Sequence, residues 1–472
     1  MAEQSEQSII NKLSNLIPEV SKPAQKYLAF NERLKWTLII LISYLGLSTI
    51  PLFGLGQNAL QAFESLSIIL GANFGSLMSL GIGPIVTASI ILQLLAGSGI
   101  LNIDLTSKEG RAYFQSLQKV LSILFIIFEA FIYVYMGGLT PTPGLKSYAA
   151  LQVLLVVQLA IGGFLVMMMD EVVSKWGFGS GISLFIVAGV AQSIFVRLLS
   201  PFTTAGTLGY PFSQLPPVGK VFEIFYSLAN SDVKTLALAF WAIIATAIVF
   251  VISVFVQAMK VEIPLSFGRV RGYGLRWPLN FLYTSNIPVI LVAALMANIQ
   301  LWARLLQNWG RPILGTFTGN SPSSGLVLWL EAPLIFNKLI TGSLVPFDIL
   351  HAFVYILFMI GGAVLFSIFW VHTSGMDAKS QAKQILASGL QIPGFRADER
   401  ILERVISRYI MPLTVMGGIA VGFLAAMADI SGALSRGTGI LLSVMILYQL
   451  YQQIAREHLM EMSPMVRKFI AE

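Results

Sequence analysis

The sequence predicts an all-α polytopic membrane protein with ten transmembrane helices. Only 11% of its 472 residues are charged and 56% are hydrophobic, whereas about 25% of the residues in a soluble domain are charged. Apolar runs that suit a ~30 Å hydrocarbon layer recur along almost the whole chain. The chain contains no cysteine, which excludes disulfides, thiolate metal sites and cysteine nucleophiles.

The apolar runs fall into two groups of five. The first group consists of the predicted spans 36–54, 75–95, 117–138, 148–169 and 182–199. A loop rich in Gly, Pro and Thr follows, and the second group consists of the predicted spans 236–258, 287–306, 349–371, 411–427 and 439–452. The segment 326–345 is also apolar, but Glu331, Pro333, Asn337 and Lys338 interrupt it. We expect an external interfacial hairpin or short helices there.

The distribution of basic residues predicts the orientation. With ten spans, most of the 30 Lys and Arg residues fall on one side, and the other side keeps only Lys146, Arg197, Lys220, Lys234, Arg304, Arg311, Lys338 and Arg436. By the positive-inside rule both termini face the cytoplasm. The N-terminus carries acidic residues and lacks a short apolar core with a small-residue cleavage site, so we do not expect a removable signal peptide.

These observations divide the chain into five regions. A cytoplasmic N-terminal segment covers 1–35, and the first five-helix half covers 36–199. An external connecting loop covers 200–235. The second half covers 236–454, with cytoplasmic loops at 259–286 and 372–410, and a cytoplasmic tail covers 455–472.

A short helix is predicted between the first two spans. At 1.5 Å per residue, Asn58 to Leu70 makes a helix about 20 Å long, which is too short to cross. Its apolar residues share one face, and glycines at both ends provide hinges. The shared face consists of Leu60, Phe63, Leu66 and Leu70. This half-helix is either movable or a static re-entrant or interfacial helix.

Two long basic segments, 260–286 and 372–408, are predicted on the cytoplasmic side. Each combines Arg and Lys with Gly and aromatic residues. Basic juxtamembrane loops orient a membrane protein and attract anionic lipid. The alternative is docking to a large anionic partner such as ribosomal RNA, where phosphate contacts need basic side chains but no base-reading code.

Three segments dense in small and polar residues carry a family resemblance. They are 79–95 (SLGIGPIVTASIILQLL), 168–186 (MMDEVVSKWGFGSGISLFI) and 285–302 (SNIPVILVAALMANIQLW). Together they resemble the SecY family, the main subunit of the protein-conducting channel, and the details look closest to its archaeal type. The resemblance covers essentially the whole chain. It implies two inverted five-helix halves with a re-entrant plug half-helix at 57–73.

The resemblance also implies a pore constriction formed by a ring of aliphatic side chains. The positions that match the ring are Ile82, Val86, Ile182, Ile186, Ile290 and Leu442. Two pairs in this set are spaced i, i+4, which stacks both side chains on one helix face. An apolar ring gates ions and water by dewetting. Taken one at a time, these residues are more typical of lipid contact or core packing.

A polar cluster at a lateral gate is implied as well. Its matching positions are Thr87, Gln93, Glu129 and Asn298. Glu129 is a carboxylate in the middle of the third span, where burial without partners is costly. The cluster either holds the gate shut until a signal sequence displaces it, or is one interhelical contact worth about 0.6 kcal/mol without a switching role.

The expected partners follow from the same resemblance. They are a SecE-type (gamma) subunit, a beta or SecG-type subunit, signal sequences and nascent polypeptides, membrane lipid, and the ribosome, for which Arg269, Arg271 and Arg396 are the expected contacts. No cofactor, metal site or catalytic residue is expected. The sequence has no His-Glu-x-x-His motif, no paired intramembrane aspartates and no nucleotide-binding loop, so we do not expect an enzyme.

The best alternative is an inverted-repeat secondary transporter of a small solute, because two five-span halves with broken helices also describe that class. A carrier concentrates charged groups at the membrane midplane. Here the midplane candidates are mostly Ile, Val and Leu, with Glu129 as the main exception. The sequence therefore argues against a carrier, and the family resemblance implies a gated, passive pore for polypeptides, a multi-pass protein of the plasma membrane.

Overall fold

The structure is a computed structural model. It describes residues 18–24, 28–58, 74–97, 100–101, 103, 107–142, 148–203, 207–209, 215–267, 274–318, 321–387, 390–391 and 398–462. The helices within these ranges are α1 (Phe30–Ser48), α2 (Gly83–Gly97), α3 (Lys108–Tyr135), α4 (Tyr148–Trp176), α5 (Gly181–Leu199), α6 (Lys220–Ala229), α7 (Val233–Ala258), α8 (Ile287–Asn308), α9 (Leu326–Trp329), α10 (Ile335–Thr341), α11 (Pro346–Thr373), α12 (Ala378–Ala387), α13 (Glu399–Ile430) and α14 (Gly437–Met462).

A helix coincides with each of the ten predicted spans: α1 to α5, α7, α8, α11, α13 and α14. Eight of them are long and apolar enough to cross a membrane. Of the other two, α1 has 19 residues but carries Glu32, Arg33 and Lys35 near its start, and α2 has only 15 residues. The prediction of an all-α polytopic membrane protein is confirmed.

The second span begins later than predicted. Residues 75–82 fold as turns, and the helix starts at Gly83. The backbone has a positive φ at Gly75 (98°) and Gly81 (53°), which a right-handed helix cannot contain. Pro84 is therefore the second residue of the helix. Its missing N–H costs no hydrogen bond there, because the first N–H groups of a helix have no partner within it.

Polar side chains cap the N-termini of several helices before their apolar runs begin. Ser107 Oγ accepts the N–H of Gly110 (3.0 Å) at the start of α3, and Asp398 accepts the N–H of Arg400 (2.9 Å) at the start of α13. Such caps satisfy N–H groups that have no partner within the helix. Because of its cap, α13 begins well before its apolar run, inside the predicted loop 372–410.

The long loops carry short strands: β1 (Leu55–Asn58), β2 (Leu139–Pro141), β3 (Lys260–Phe267), β4 (Gly274–Asn280), β5 (Gly315–Thr318), β6 (Ser321–Gly325) and β7 (Leu390–Gln391). β1 pairs with β2, and β5 pairs with β6. The other three form one sheet in the order β4-β3-β7. We call it the loop sheet. It joins the two long basic segments, because β3 and β4 come from the first and β7 from the second.

The segment between β6 and α11 contains two short helices. α9 has 4 residues and α10 has 7, so neither crosses a membrane at 1.5 Å per residue. Trp329 packs against Phe347 and His351 at the start of α11 (ring centroids 5.7 and 5.6 Å apart). The expectation of short helices at 326–345 is confirmed.

The two groups of five helices meet along two main interfaces. We call the contact of α2 with α8 and α11 the gate interface, and the contact of α5 with α14 the back interface. The main core cluster contains buried residues from both groups, among them Val86, Ile186, Ile290, Met359 and Leu442. A second cluster lies beneath β2 and β5, and a third packs the loop sheet against α12 and α13.

Candidate functional site: an aliphatic core beside a polar gate cluster

The six aliphatic residues of the predicted ring lie on four different helices or at their starts. All belong to or pack against the main core cluster. Their exposed fractions are 1% for Ile82, 3% for Val86, 1% for Ile186, 8% for Ile290 and 1% for Leu442. Ile182 is half-buried. The structure thus gathers the six residues in one apolar core between the halves.

Ile82 precedes the first residue of α2, yet its spacing to Val86 is helical. The carbonyl oxygen of Ile82 accepts the N–H of Val86 (3.0 Å). This is the i to i−4 bond of an α-helix, so the two side chains stack on one face as the sequence indicates. Ile182 and Ile186 lie in the first turns of α5, and Ile290 lies in the first turn of α8.

Three of the four predicted gate residues form one hydrogen-bonded cluster. Asn298 Nδ2 on α8 donates to Thr87 Oγ1 on α2 (2.9 Å), and Thr87 Oγ1 lies 3.2 Å from Glu129 Oε1 on α3. The same hydroxyl lies 2.8 Å from the carbonyl oxygen of Gly83. Because Thr87 and Asn298 belong to different halves, this cluster crosses the gate interface.

The gate cluster is buried, but not all of its polar atoms have a hydrogen-bond partner among the described residues. Glu129 is 1% exposed and Asn298 is 7% exposed. Within the described part of the chain, Glu129 Oε2 and Asn298 Oδ1 have no hydrogen-bond partner, and neither has the hydroxyl of Tyr133, one turn further along α3. Buried polar atoms without partners destabilise a closed arrangement. The contact between α2, α3 and α8 is therefore held by fewer hydrogen bonds than its polar groups can make.

Gln93 does not join this cluster. Its Nε2 donates to Ser89 Oγ in its own helix (3.1 Å), and its carbonyl oxygen has no partner among the described residues. Gln93 is six residues after Thr87, which places it about 9 Å further along the helix axis.

The predicted plug lies mostly outside the described residues, including Leu60, Phe63, Leu66 and Leu70. Both ends of the segment are fixed. Before it, β1 pairs with β2 through Asn58 and Leu139; after it, the carbonyl oxygen of Gly75 accepts the N–H of Leu52 (2.9 Å). Asn58, the predicted first residue of the half-helix, is thus the last residue of a strand, and that predicted start is wrong.

The expected ribosome contacts also lie outside the described residues, since Arg269 and Arg271 fall in 268–273 and Arg396 falls in 392–397. Both gaps adjoin the loop sheet. Ser266 and Phe267 of β3 pair with Gln391 and Leu390 of β7. The described parts of the two basic segments are therefore joined in one sheet.

Sequence reasoning missed a contact between the N-terminal segment and the end of α4. Lys175 Nζ binds Glu19 (2.6 Å) and Glu171 (2.8 Å), and Lys119 on α3 also binds Glu171 (3.3 Å). The indole N–H of Trp176 donates to the carbonyl oxygen of Ser21 (2.8 Å). The hydrogen bond and the charge of Lys175 lower the pKa of Glu19.

A second missed contact links α8 to the loop before α14. Arg436 donates to both carboxylate oxygens of Glu331 (3.0 Å each). Gln300 Nε2 on α8 donates to Glu331 Oε2 (2.9 Å) and to the carbonyl oxygen of Leu330 (3.0 Å). Glu331 and Arg436 are 105 residues apart, and a single sequence shows no sign of this pairing.

The comparisons with known proteins agree with this architecture. A family model for SecY matches residues 76–451. The protein translocase subunit SecY of Methanothermobacter thermautotrophicus is 43% identical over 464 residues, which cover 98% of both chains. That of Pyrococcus furiosus is 43% identical over 470 residues, again covering 98% of both.

The chain belongs to the SecY family. Both organisms are archaea, so the predicted archaeal type is confirmed. The chain is similar to a solved protein-conducting channel, with a TM-score of 0.80 and 42% identity over 95% of this chain and 97% of the other. It is also similar to Sec61 in a canine ribosome-channel complex, with a TM-score of 0.77 and 42% identity over the same shares.

Membership in the SecY family settles two predictions. The chain is a subunit of a protein translocase and not an enzyme. The small-solute transporter is not supported, because the relatives and solved structures that match almost the full length are protein translocases and protein-conducting channels. A further similar structure concerns the SecY plug domain, which stabilises the closed state of that channel and maintains a membrane seal.

Proposed function

We propose that this chain is the central pore-forming subunit of a Sec translocon in the plasma membrane, with both termini in the cytoplasm. It conducts secretory polypeptides across the membrane and releases hydrophobic segments sideways into lipid. The observation that carries the proposal is the relationship to SecY subunits over 98% of the chain. The excess of basic residues on one side of ten spans supports the orientation.

The aliphatic core supports the pore ring. Five of its six residues are at most 8% exposed, and none has a polar side-chain atom. In a closed channel such a ring excludes water and ions by dewetting. Aliphatic side chains make no obligatory hydrogen bonds, so the same ring fits polypeptides of many sequences.

The gate cluster supports a lateral exit between α2 and α8. Asn298 and Thr87 join the two halves by one hydrogen bond (2.9 Å), and interhelical bonds of this kind are worth about 0.6 kcal/mol in membranes. An apolar signal sequence packs against the flanking helices, and this packing compensates for the single hydrogen bond that they lose. We therefore assign signal-sequence recognition to this interface.

The segment 59–73 acts as the plug. It is tethered by β1 before it and by the turn at Gly75 after it. Leu60, Phe63, Leu66 and Leu70 give it an apolar face that suits the ring. Movement of this segment between fixed ends opens the lumen without unfolding its neighbours.

The proposed partners are those that the family resemblance implies. The loop sheet with Arg269, Arg271 and Arg396 docks to the ribosome, as the similarity to Sec61 in a ribosome-channel complex supports. A SecE-type subunit and a beta or SecG-type subunit cover part of the lipid-facing surface. Energy for transport comes from the ribosome or another motor.

Site-specific photo-crosslinking tests the pore. A photoreactive residue replaces Ile82, Ile290 or Leu442 in a translocon complex stalled during secretion, and Ile161, a 51%-exposed residue of α4, is the control. The three ring positions should capture the nascent chain, and Ile161 should capture lipid. Capture at Ile161 and at none of the ring positions refutes the pore assignment.

The plug is tested separately through ion leakage. The chain has no cysteine, so a Phe63→Cys/Pro322→Cys variant can be joined selectively by a flexible bifunctional crosslinker. Tethering the plug to the β5–β6 hairpin should raise the resting ion leak, and cleaving the crosslink should restore the seal. An unchanged leak leaves only a static helix at this position.

A further inference from the structure

Two aspartates that no proposed role uses lie at the starts of α5 and α14. Asp170, near the end of α4, accepts the N–H of Ile182 (3.0 Å) and the hydroxyl of Ser180 (3.3 Å) through Oδ1. Gly181 brings the two helices together, since a Cβ there would lie 2.6 Å from the Cα of Asp170. α5 therefore begins in contact with the backbone of α4.

The turn between α13 and α14 repeats this arrangement. Asp429, the penultimate residue of α13, accepts the N–H of Thr438 (2.7 Å) through Oδ1. Its other oxygen accepts the hydroxyls of Tyr355 (2.7 Å) and Thr438. A Cβ on Gly437 would lie 2.0 Å from the carbonyl carbon of Ala428, so this helix too begins against the backbone of its predecessor.

The two turns are equivalent in detail. In each, a carboxylate near the end of one span accepts the N–H of the second residue of the next helix, and glycine is the first residue of that helix. The two turns are separated by five spans, so they lie on opposite sides of the membrane. This contact between a carboxylate and the start of the next helix therefore occurs once in each half.

We propose that Asp170 and Asp429 are positioning residues of the pore ring. Asp170 bonds the backbone of Ile182, itself a ring residue. Asp429 bonds Thr438, one helical turn before Leu442 and therefore on the same helix face. Each carboxylate fixes the axial position and rotation of one ring-bearing helix. The inference rests on the proposed pore, and it assigns to these aspartates the alignment of the ring.

The physical reason is the unsatisfied start of each helix. The first N–H groups of a helix have no partner within it, and a carboxylate matches both these donors and the positive end of the helix dipole. Sliding or rotating α5 or α14 would separate the carboxylate from the N–H groups it accepts and leave both without these partners, which is costly where they are buried. Each helix consequently has one preferred depth.

These bonds lie within the halves, unlike the bond between Thr87 and Asn298. Asp170 and Ile182 both belong to the first half, and Asp429 and Thr438 both belong to the second. When the gate interface opens, each ring residue moves with its own half and keeps its depth. The ring widens while its members stay aligned.

Thiol accessibility in the translocon complex, reconstituted in vesicles, tests the alignment. Ile186→Cys and Leu442→Cys each provide one thiol in a cysteine-free chain, and an impermeant maleimide measures its exposure. Asp170→Ala should change the modification rate at residue 186 by about tenfold, as expected from loss of one charge-assisted hydrogen bond. It should leave the modification rate at residue 442 unchanged. Asp429→Ala should change the rate at residue 442 and leave the rate at residue 186 unchanged.

Matched variants separate positioning from general stability. Asp170→Asn and Asp429→Asn keep an acceptor oxygen for the helix N–H but lose the charge, and should change the rates less than the alanine variants do. If an alanine variant does not accumulate, a serine replacement, which shortens the side chain, takes its place with the same expectation. Three results would overturn the inference. The modification rates could stay unchanged at both thiols, they could change equally at both, or an asparagine variant could change the rate as much as the alanine variant does.

The same two thiols also distinguish a failure of the positioning role from a failure of the proposed pore. In complexes stalled during secretion, each thiol should form a disulfide with a cysteine placed in the nascent chain. If neither captures the chain, the proposed pore is wrong. If both capture it but the aspartate variants leave the modification rates unchanged, the pore stands and the positioning role is wrong.

Discussion

The two interfaces between the halves are built differently. At the gate interface, a polar cluster crosses from α2 to α8 through Thr87 and Asn298, and several of its buried atoms lack partners among the described residues. At the back interface, Gly439 of α14 packs directly against Val190 of α5. Close packing of small residues resists separation, whereas a cluster with unmet bonds separates at little cost. This difference supports our proposal that the molecule opens at the gate interface.

The back interface is reinforced by the loop between α13 and α14. Arg197 of α5 donates to the carbonyl oxygen of Leu434 (3.3 Å), and Trp241 and Thr246 of α7 bond Ser431 and Leu434. This loop thus bonds to helices of both halves.

The largest expected effect comes from Arg436→Gln, which removes the cation from that loop. Glu331 loses the guanidinium nitrogen Nη2 that donates to both of its oxygens, and Asp429 loses a nearby positive charge. Breaking a buried ion pair costs about 3–5 kcal/mol, and partial exposure of Glu331 lowers the expected loss to about 2–4 kcal/mol. Thermal unfolding of the purified complex measures it. Arg311→Gln, at an exposed residue beside Trp309, should cost far less; equal losses would refute the role of this ion pair.

Next is Gly439→Val, which tests the packing of the back interface. A Cβ at residue 439 would lie 3.1 Å from Val190 Cγ2, so the larger side chain forces the helices apart at a cost of about 1–3 kcal/mol. Gly361→Val on α11 is the matched control, because a Cβ there meets nothing within 4 Å. Val190→Ala should restore part of the loss. Comparable unfolding temperatures for the two valine variants would contradict the close packing.

A smaller effect is expected at the gate interface. Thr87→Val removes the acceptor of Asn298 and a partner of Glu129, which weakens the closed state by about 0.6 kcal/mol. Translocation of a substrate with a weakly hydrophobic signal sequence should rise about threefold, the factor that this energy corresponds to. Thr246→Val makes the same change at the loop beside the back interface and should not raise translocation. If both variants behave alike, the two interfaces do not differ as proposed.

The smallest effect concerns a contact that touches neither interface. Lys175 lowers the pKa of Glu19 below its ordinary value of 4.5, so this contact stabilises the fold above that pH and is lost as pH falls through the lowered pKa. Glu19→Gln should destabilise the protein by less than about 0.5 kcal/mol at pH 7, as for other surface pairs, and the difference from the parent should vanish below the lowered pKa. Thermal unfolding between pH 3 and pH 7 measures both. A difference that persists at low pH would mean that the Glu19 charge is not its cause.

The ten spans could be predicted from the sequence for physical reasons, and the polar gate cluster was implied by the family resemblance. Apolar runs of sufficient length have few alternatives to crossing the membrane. Glu129 stood out as a carboxylate in mid-span, which demands partners, and Thr87 and Asn298 lie where the family resemblance placed them. Local patterns and one strong family signature were sufficient for these features.

Other features depend on contacts that local patterns do not encode. The start of α2 at Gly83 follows from left-handed glycines in the preceding turn, although the apolar run itself continues through them. The union of two distant basic loops in the loop sheet requires β3 and β7 to meet, more than 120 residues apart in the chain. The contact of Glu331 with Arg436 likewise forms only when the second half has folded.

The loop sheet has a mechanical consequence. β3 continues directly from α7, and β4 leads through the short turn at 281–286 into α8, the helix that carries Ile290 and Asn298. β7 lies between α12 and α13. All three strands therefore extend from the second half alone. We therefore expect a partner bound to the loop sheet to transmit force directly to α8 and its neighbours in the second half, and to reach the first half only through the interfaces between the halves.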